Sequence, residues 1–137
     1  MRKNKKISLL FLFSILLMTL FGCGQSSLAK VDILTRIEET PKIFWGVKHD
    51  TRLFGLTNIE TRKVEGFDID IALAITEEIL GPEGEAVFVE VTSKTRIPLI
   101  KNGNIDAIIA TMTISEERLK QVDFSDVYFD AGQSLLV

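Results

Sequence analysis

The first patterned stretch is an apolar run from Ile7 to Phe21, preceded by the basic cluster Arg2, Lys3, Lys5 and Lys6. That layout is an export signal, and the run is too short to span a bilayer comfortably. The pattern then changes period several times. Lys42–Val47 reads as a buried strand, with Pro41 before it where a missing N–H does least harm. From Gly66 the spacing turns helical. Phe67, Ile71, Ala74, Ile75 and Ile79 recur on one face, Ile69, Leu73 and Leu80 widen it, and Gly81-Pro82 ends it. Ala86–Val91 alternates as a second strand. Pro98, Leu99 and Ile100 predict a helix stopped by Asn102-Gly103. Ile105–Ala110 is a third buried strand, after which Ser115 is placed to cap a helix with Glu116 and Glu117 in its first turn. Residues 31–37 predict a short helix, 57–64 a turn or hairpin, and 134–137 a last strand.

Strands alternating with helices predict an α/β fold, a mostly parallel sheet flanked by helices. Ligands of such sheets bind beyond the carboxyl ends of the strands. Three segments leave strands there: Lys48–Phe54, Thr92–Arg96 and Ala110–Arg118. Together they offer Lys48, Arg52, Arg96 and Arg118 as cations, Asp50 as an anion, and several hydroxyls. Several cations with one carboxylate suit a ligand carrying both signs with negative charge in excess, the pattern of an acidic amino acid. The third segment passes hydroxyls and backbone N–H groups to a helix start, and Arg118 adds a forked donor for a carboxylate. Alone, it also reads as a plain turn with a solvated arginine. Asp68 and Asp70 are accounted for by capping and the helix dipole. His49, the only histidine, has no second His or Cys at ligand spacing and reads as a solvated loop residue rather than a metal ligand.

Charge narrows the partners. Twelve of the 16 Lys and Arg and all 19 acids lie beyond residue 22, a net charge near −7 there. That argues against nucleic acid. The single cysteine, Cys23, excludes an internal disulfide. Leu20-Phe21-Gly22-Cys23 resembles a bacterial lipobox, with Phe21 larger than the residue usual there. The resemblance implies cleavage before Cys23 and lipid on its sulfur. The expected layout is a signal peptide at 1–22, a lipidated Cys and tether at 23–40, and a domain at 41–137. The chain would be exported and anchored by lipid to the outer face of the cell membrane.

Gly66-Phe67-Asp68-Ile69-Asp70-Ile71, followed by Ile75 and Ile79, resembles the motif of the bacterial extracellular solute-binding proteins of family 3, the polar amino-acid receptors of ABC importers. Thr76 stands where that motif has a smaller or aliphatic residue. Gly46–Asp50, Thr95-Arg96 with Pro98-Leu99, and Ala110–Ile114 with Glu117-Arg118 match as well. Asp123-Phe124-Ser125 and Tyr128 follow as they do in the glutamine and glutamate/aspartate receptors. The resemblance covers about residues 42–137 and implies a type 2 periplasmic-binding-protein fold, two lobes closing on a ligand. Carried over by position, Arg118 pairs with the ligand α-carboxylate, and Thr113 with the backbone at Ala110 and Thr111 bonds that group. Asp50 contacts the α-amino group. Arg96, with Lys48 near it, holds a side-chain carboxylate. Leu53 or Phe54 packs on the aliphatic part.

The resemblance implies a substrate-binding component serving an ABC permease and its ATPase, as a monomer, without cofactor. The ligand would be glutamate, aspartate or glutamine. The chain is shorter than members of the family, so the expectation is one lobe with the second absent, binding weakly or not at all. A sensor or surface adhesin of the same fold is the alternative. A dehydratase-like enzyme is a further one, for which Asp50 is the only nearby acid or base. No phosphate cradle, nucleophile elbow or metal cluster is present in the sequence.

Overall fold

The computed structural model describes residues 32–132 and 135. Cys23 and the expected export signal lie outside the described residues, as does the last expected strand apart from Leu135, which has no regular structure. The elements run α1 (Ile33–Glu39), β1 (Lys42–Val47), β2 (Asp50–Thr51), β3 (Gly55–Thr57), β4 (Val64–Glu65), α2 (Phe67–Leu80), β5 (Glu85–Glu90), α3 (Arg96–Lys101), β6 (Ala107–Ile109) and α4 (Glu116–Leu119). β1 is central in a parallel sheet of order β5-β1-β6, while β2, β3 and β4 form a small antiparallel meander. The parallel register runs Lys42↔Glu85 to Val47↔Glu90 on one side and Trp45↔Ala107 to Val47↔Ile109 on the other.

The pleat of β1 divides the core. Ile43, Trp45 and Val47 point to one face and pack with Ile69 and Ala72 of α2 and with Ile109. Phe44 and Val89 point to the other face, against Leu99 and Ile100 of α3 and the buried Val91, Ile105 and Ala110. Each large side chain so buried contributes about 1.5–3 kcal/mol. Gly46 belongs to this second layer. A Cβ there would stand 2.6 Å from Ile105 Cδ1, so only glycine lets β1 approach the β6 side so closely.

α2 forms where the spacing predicts and ends at Gly81, whose φ of +75° only glycine adopts readily. Its face differs from the expectation. Ile69 and Ala72 are buried, together with the polar Asp68 and Thr76, whereas Phe67, Leu73, Ala74, Ile75 and Ile79 are exposed. The helix is apolar almost all round, so polar pairing decides its rotation. Thr76 Oγ1 accepts from Trp45 Nε1 at 2.9 Å and donates to Ala72 O at 2.7 Å. The buried indole N–H requires an acceptor, and Thr76 supplies it. Asp68 is not a cap: Gly66 is the N-cap residue, with no side-chain bond.

Arg36 ties α1 to the sheet. It pairs with Asp106, donates to Lys42 O at 3.1 Å, and lies over the Phe44 ring. Asp106 also accepts from Phe44 N at 2.8 Å.

Candidate ligand site

The carboxyl ends of β1, β5 and β6 carry the three expected segments. The first is organised by an ion pair. Lys48 Nζ lies 3.0 Å from Asp50 Oδ1, with the Asp50 side chain 73% exposed. The Lys48 hydrogen bond is the main reason the Asp50 carboxyl lies below the usual aspartate range. These two candidates therefore meet each other, and each leaves less charge for a ligand. Leu53 is 75% exposed in the left-handed region, with φ +72°. Phe54 is half-buried in an aromatic group, edge-on to Phe67 at 6.1 Å and to Phe129 at 5.0 Å. His49 is half-buried rather than solvated, and its Nε2 has no partner among the described residues.

This turn is tied to the start of α2. Phe67 N donates to Leu53 O at 2.8 Å and Asp68 N to Phe54 O at 3.0 Å. The first N–H groups of α2 are thereby satisfied, so this helix start holds no free donors there for an anion. The close approach depends on Gly66, at φ +141°, where a Cβ would meet Phe54 O at 2.4 Å.

The second segment is shaped by hydroxyls. Thr92 N donates to Thr95 Oγ1 at 2.9 Å, and Thr92 Oγ1 accepts from Thr95 N at 3.2 Å. This turn delivers Arg96 as the first residue of α3. Arg96 is only 4% exposed. Its Nη1 donates to Ala110 O at 2.9 Å, and its Nε has no partner among the described residues. Burial first, and the charge of Arg118 second, lower its pKa from the ordinary arginine value.

The third segment carries most of the expected residues. Ala110 is buried, and Thr111 is left-handed at φ +47°. Thr111 N is not available to a ligand, because it donates to Asp68 Oδ2 at 3.2 Å. Thr113 is exposed, and its carbonyl accepts from Arg118 Nη1 at 2.6 Å. Ser115 caps α4 as expected, its Oγ accepting from Arg118 N at 3.4 Å. No carboxylate among the described residues pairs with Arg96 or Arg118, in contrast to Arg36, Lys42 and Lys48.

Arg96, Ala110, Thr111, Thr113 and Arg118 thus form one wall, Lys48 and Asp50 a paired flank, and Phe54 part of an aromatic surface. Asp68 was not legible as a site residue. It is fully buried and accepts from Tyr128 OH at 3.0 Å as well as from Thr111 N. Burial raises its pKa, against those two hydrogen bonds. The Tyr128 hydroxyl is also raised, by burial and by the Asp68 charge. Only its position beside Gly66 and Phe67 could have marked Asp68. No group of three or more His, Cys, Asp or Glu among the described residues could hold a metal.

The model of the bacterial extracellular solute-binding proteins, family 3, matches residues 43–137. The ABC transporter glutamine-binding protein GlnH of Bacillus subtilis (strain 168) is 56% identical over 142 residues, covering all of this chain and 52% of the relative. The glutamine-binding protein of Geobacillus stearothermophilus is 62% identical over 109 residues, covering 80% of this chain and 42% of the relative. The chain spans about half the length of these curated relatives. Among solved structures, the arginine-bound form of domain 1 from TmArgBP superposes with a TM-score of 0.64 at 37% identity, covering 71% of this chain and 74% of that one.

Proposed function

The chain belongs to the bacterial extracellular solute-binding proteins, family 3, and on that premise we propose that it is the extracytoplasmic substrate-binding component of an amino-acid ABC importer. One observation carries the reading. The guanidinium groups of Arg96 and Arg118 both lie at the carboxyl edge of the sheet, each bonded to a backbone carbonyl and neither with a carboxylate partner among the described residues. A buried or half-buried cation without a counterion is costly, and a bound carboxylate relieves that cost. Arg118 takes the α-carboxylate, with the Thr113 hydroxyl beside it. Phe54 is better placed than Leu53 for the aliphatic part, because its ring is already packed and loses little freedom on binding. Asp50 reaches an α-amino group only by sharing its charge with Lys48.

The ligand is a polar amino acid. The Arg96 guanidinium, without a carboxylate partner among the described residues, favours an acidic side chain, glutamate or aspartate. The names of the two glutamine-binding relatives favour glutamine. The test is calorimetry of the full chain in detergent micelles against glutamate, aspartate, glutamine and arginine. A tenfold preference (about 1.4 kcal/mol) for the acidic pair supports the Arg96 reading. Silence with all four would refute an amino-acid site. That a single domain of TmArgBP was solved with arginine bound supports measurable binding by one lobe, in place of none.

Export and anchoring complete the reading. No helix among the described residues is long and apolar enough to cross a membrane, and the lipid on Cys23 would hold the chain at the cell surface as a monomer beside its permease and ATPase. Mass spectrometry of the chain made in a bacterial host should find lipid on Cys23 and lose it in Cys23→Ser. The relatives are substrate-binding proteins. The reading is of a binder rather than an enzyme, since Asp50 is ion-paired and exposed.

A further inference from the structure

Asp68 touches three separate parts of the site. Its backbone N–H holds the Phe54 carbonyl at 3.0 Å, its Oδ2 holds Thr111 N at 3.2 Å, and its Oδ1 accepts from Tyr128 OH at 3.0 Å. The bond to Thr111 matters through peptide geometry. Ala110 C=O and Thr111 N–H belong to one planar trans peptide and point in opposite directions. The N–H end meets the Asp68 carboxylate, and the C=O end meets the Arg96 guanidinium at 2.9 Å. An anion and a cation thus grip one peptide plane from both sides, each aligned with its dipole. The grip opposes a local preference, because Thr111 is β-branched and sits at φ +47°, a region such residues avoid. Without the carboxylate acceptor, the plane is free to turn. Ala110 O then leaves Arg96, and the chain from Thr111 to Arg118 changes its exit direction. A capping role does not explain the residue, since the first N–H groups of α2 bond to Leu53, Phe54 and Gly66 carbonyls.

We infer that Asp68 is a positioning residue for the ligand site, fixing the Ala110–Thr111 peptide so that Arg96 and the Thr113–Arg118 loop face one ligand. The inference rests on the reading of this edge as an amino-acid site. It is tested with the full chain in detergent micelles, using Asp68→Asn, which keeps an oxygen acceptor, and Asp68→Leu, which keeps the branched shape at a larger volume without one. Asp68→Ala is the second deletion should leucine not fit. The readouts are affinity for L-glutamine, L-glutamate and L-arginine, the thermal midpoint, and the Thr111 amide signal by NMR. The expected result is a loss of tenfold or more in affinity for the deletion, on the order of one charge-assisted hydrogen bond, measured well below the variant's own thermal midpoint. Asp68→Asn should stay within about threefold of the parent, with its Thr111 amide still protected. Equal affinity in the deletion and the parent overturns the inference. So does a loss that tracks a lowered midpoint in both variants, the mark of a structural role alone. If the parent binds none of the three amino acids, the reading of the site fails and the amide decides the clamp. A Thr111 signal unmoved in the deletion overturns it, and one displaced there but retained in Asp68→Asn supports it.

Discussion

Arg96→Met separates binding from folding at a single position. In the parent, the guanidinium is 4% exposed and makes one hydrogen bond, to Ala110 O, with no carboxylate partner among the described residues. Methionine matches most of the length and volume, so little cavity is created. Two terms then oppose each other. Leaving Ala110 O without its donor costs about 1–3 kcal/mol. Removing a buried cation that lies near a second one, Arg118, returns an amount of similar size. Stability should therefore change by less than about 2 kcal/mol in either direction, measured by urea unfolding. Binding has no such compensation. A charge-assisted contact to a side-chain carboxylate is worth about 1.5–3 kcal/mol, so glutamate affinity should fall by roughly 10- to 150-fold. Glutamine, whose side chain is neutral, should lose about half that free energy or less. Calorimetry with both ligands on parent and variant gives the comparison. An equal loss for glutamine and glutamate would refute the assignment of Arg96 to the side chain. A stability loss above about 4 kcal/mol would show instead that the arginine holds the fold.

Three further outcomes follow from the packing. Gly66→Ala should cost about 2 kcal/mol or more, because alanine is strained at φ +141° and its Cβ would meet the Phe54 carbonyl at 2.4 Å; an unchanged urea midpoint would contradict this. Thr76→Val leaves the Trp45 indole N–H buried without an acceptor and should cost about 1–3 kcal/mol, with a shift of the tryptophan emission that an intact hydrogen bond would not produce. For Asp68, burial raises the folded pKa above the ordinary 3.8, so the folded state holds the proton more tightly than the unfolded one. Its contribution to stability is present below the unfolded value and lost as pH rises through the folded value. Parent stability measured against Asp68→Asn should therefore decline as pH rises from about 4, and a gap that widens in favour of the parent would contradict the raised pKa.

The parts legible in the sequence are those set by backbone rules. Lys42–Val47 is a strand at the bounds expected, Ser115 caps α4, and Gly81 and Asn102 end their helices where punctuation places them. The parts that were not legible are buried polar contacts. In FDIDIALAITEEIL nearly every face is apolar, so hydrophobic spacing left the rotation open. The indole of Trp45 and the peptide of Thr111 settle it, by drawing Thr76 and Asp68 inward. The same cause changed Asp50, which the sequence offers to a ligand and the fold pairs with Lys48. Arg96 was legible as a cation at the edge. Its burial was not, since that depends on a carbonyl 14 residues away.

The central place of β1 has a consequence for synthesis and export. Its first partner in register, Glu85, comes 43 residues after Lys42, and the pair Trp45↔Ala107 spans 62 residues. An emerging chain therefore presents IFWGV with both edges unpaired until β5 is made, and with one edge open until β6 follows. Such a segment, apolar and rich in β-formers, is a site for mispairing between chains. Pro41 and Lys42 precede it and Lys48 follows it, placed as gatekeepers on either side. In the folded lobe Lys42 pairs with Glu85 and Lys48 with Asp50. The charge that guards the start of the nascent strand is thus one that pairs once its neighbour β5 arrives, while Lys48 has its partner two residues on.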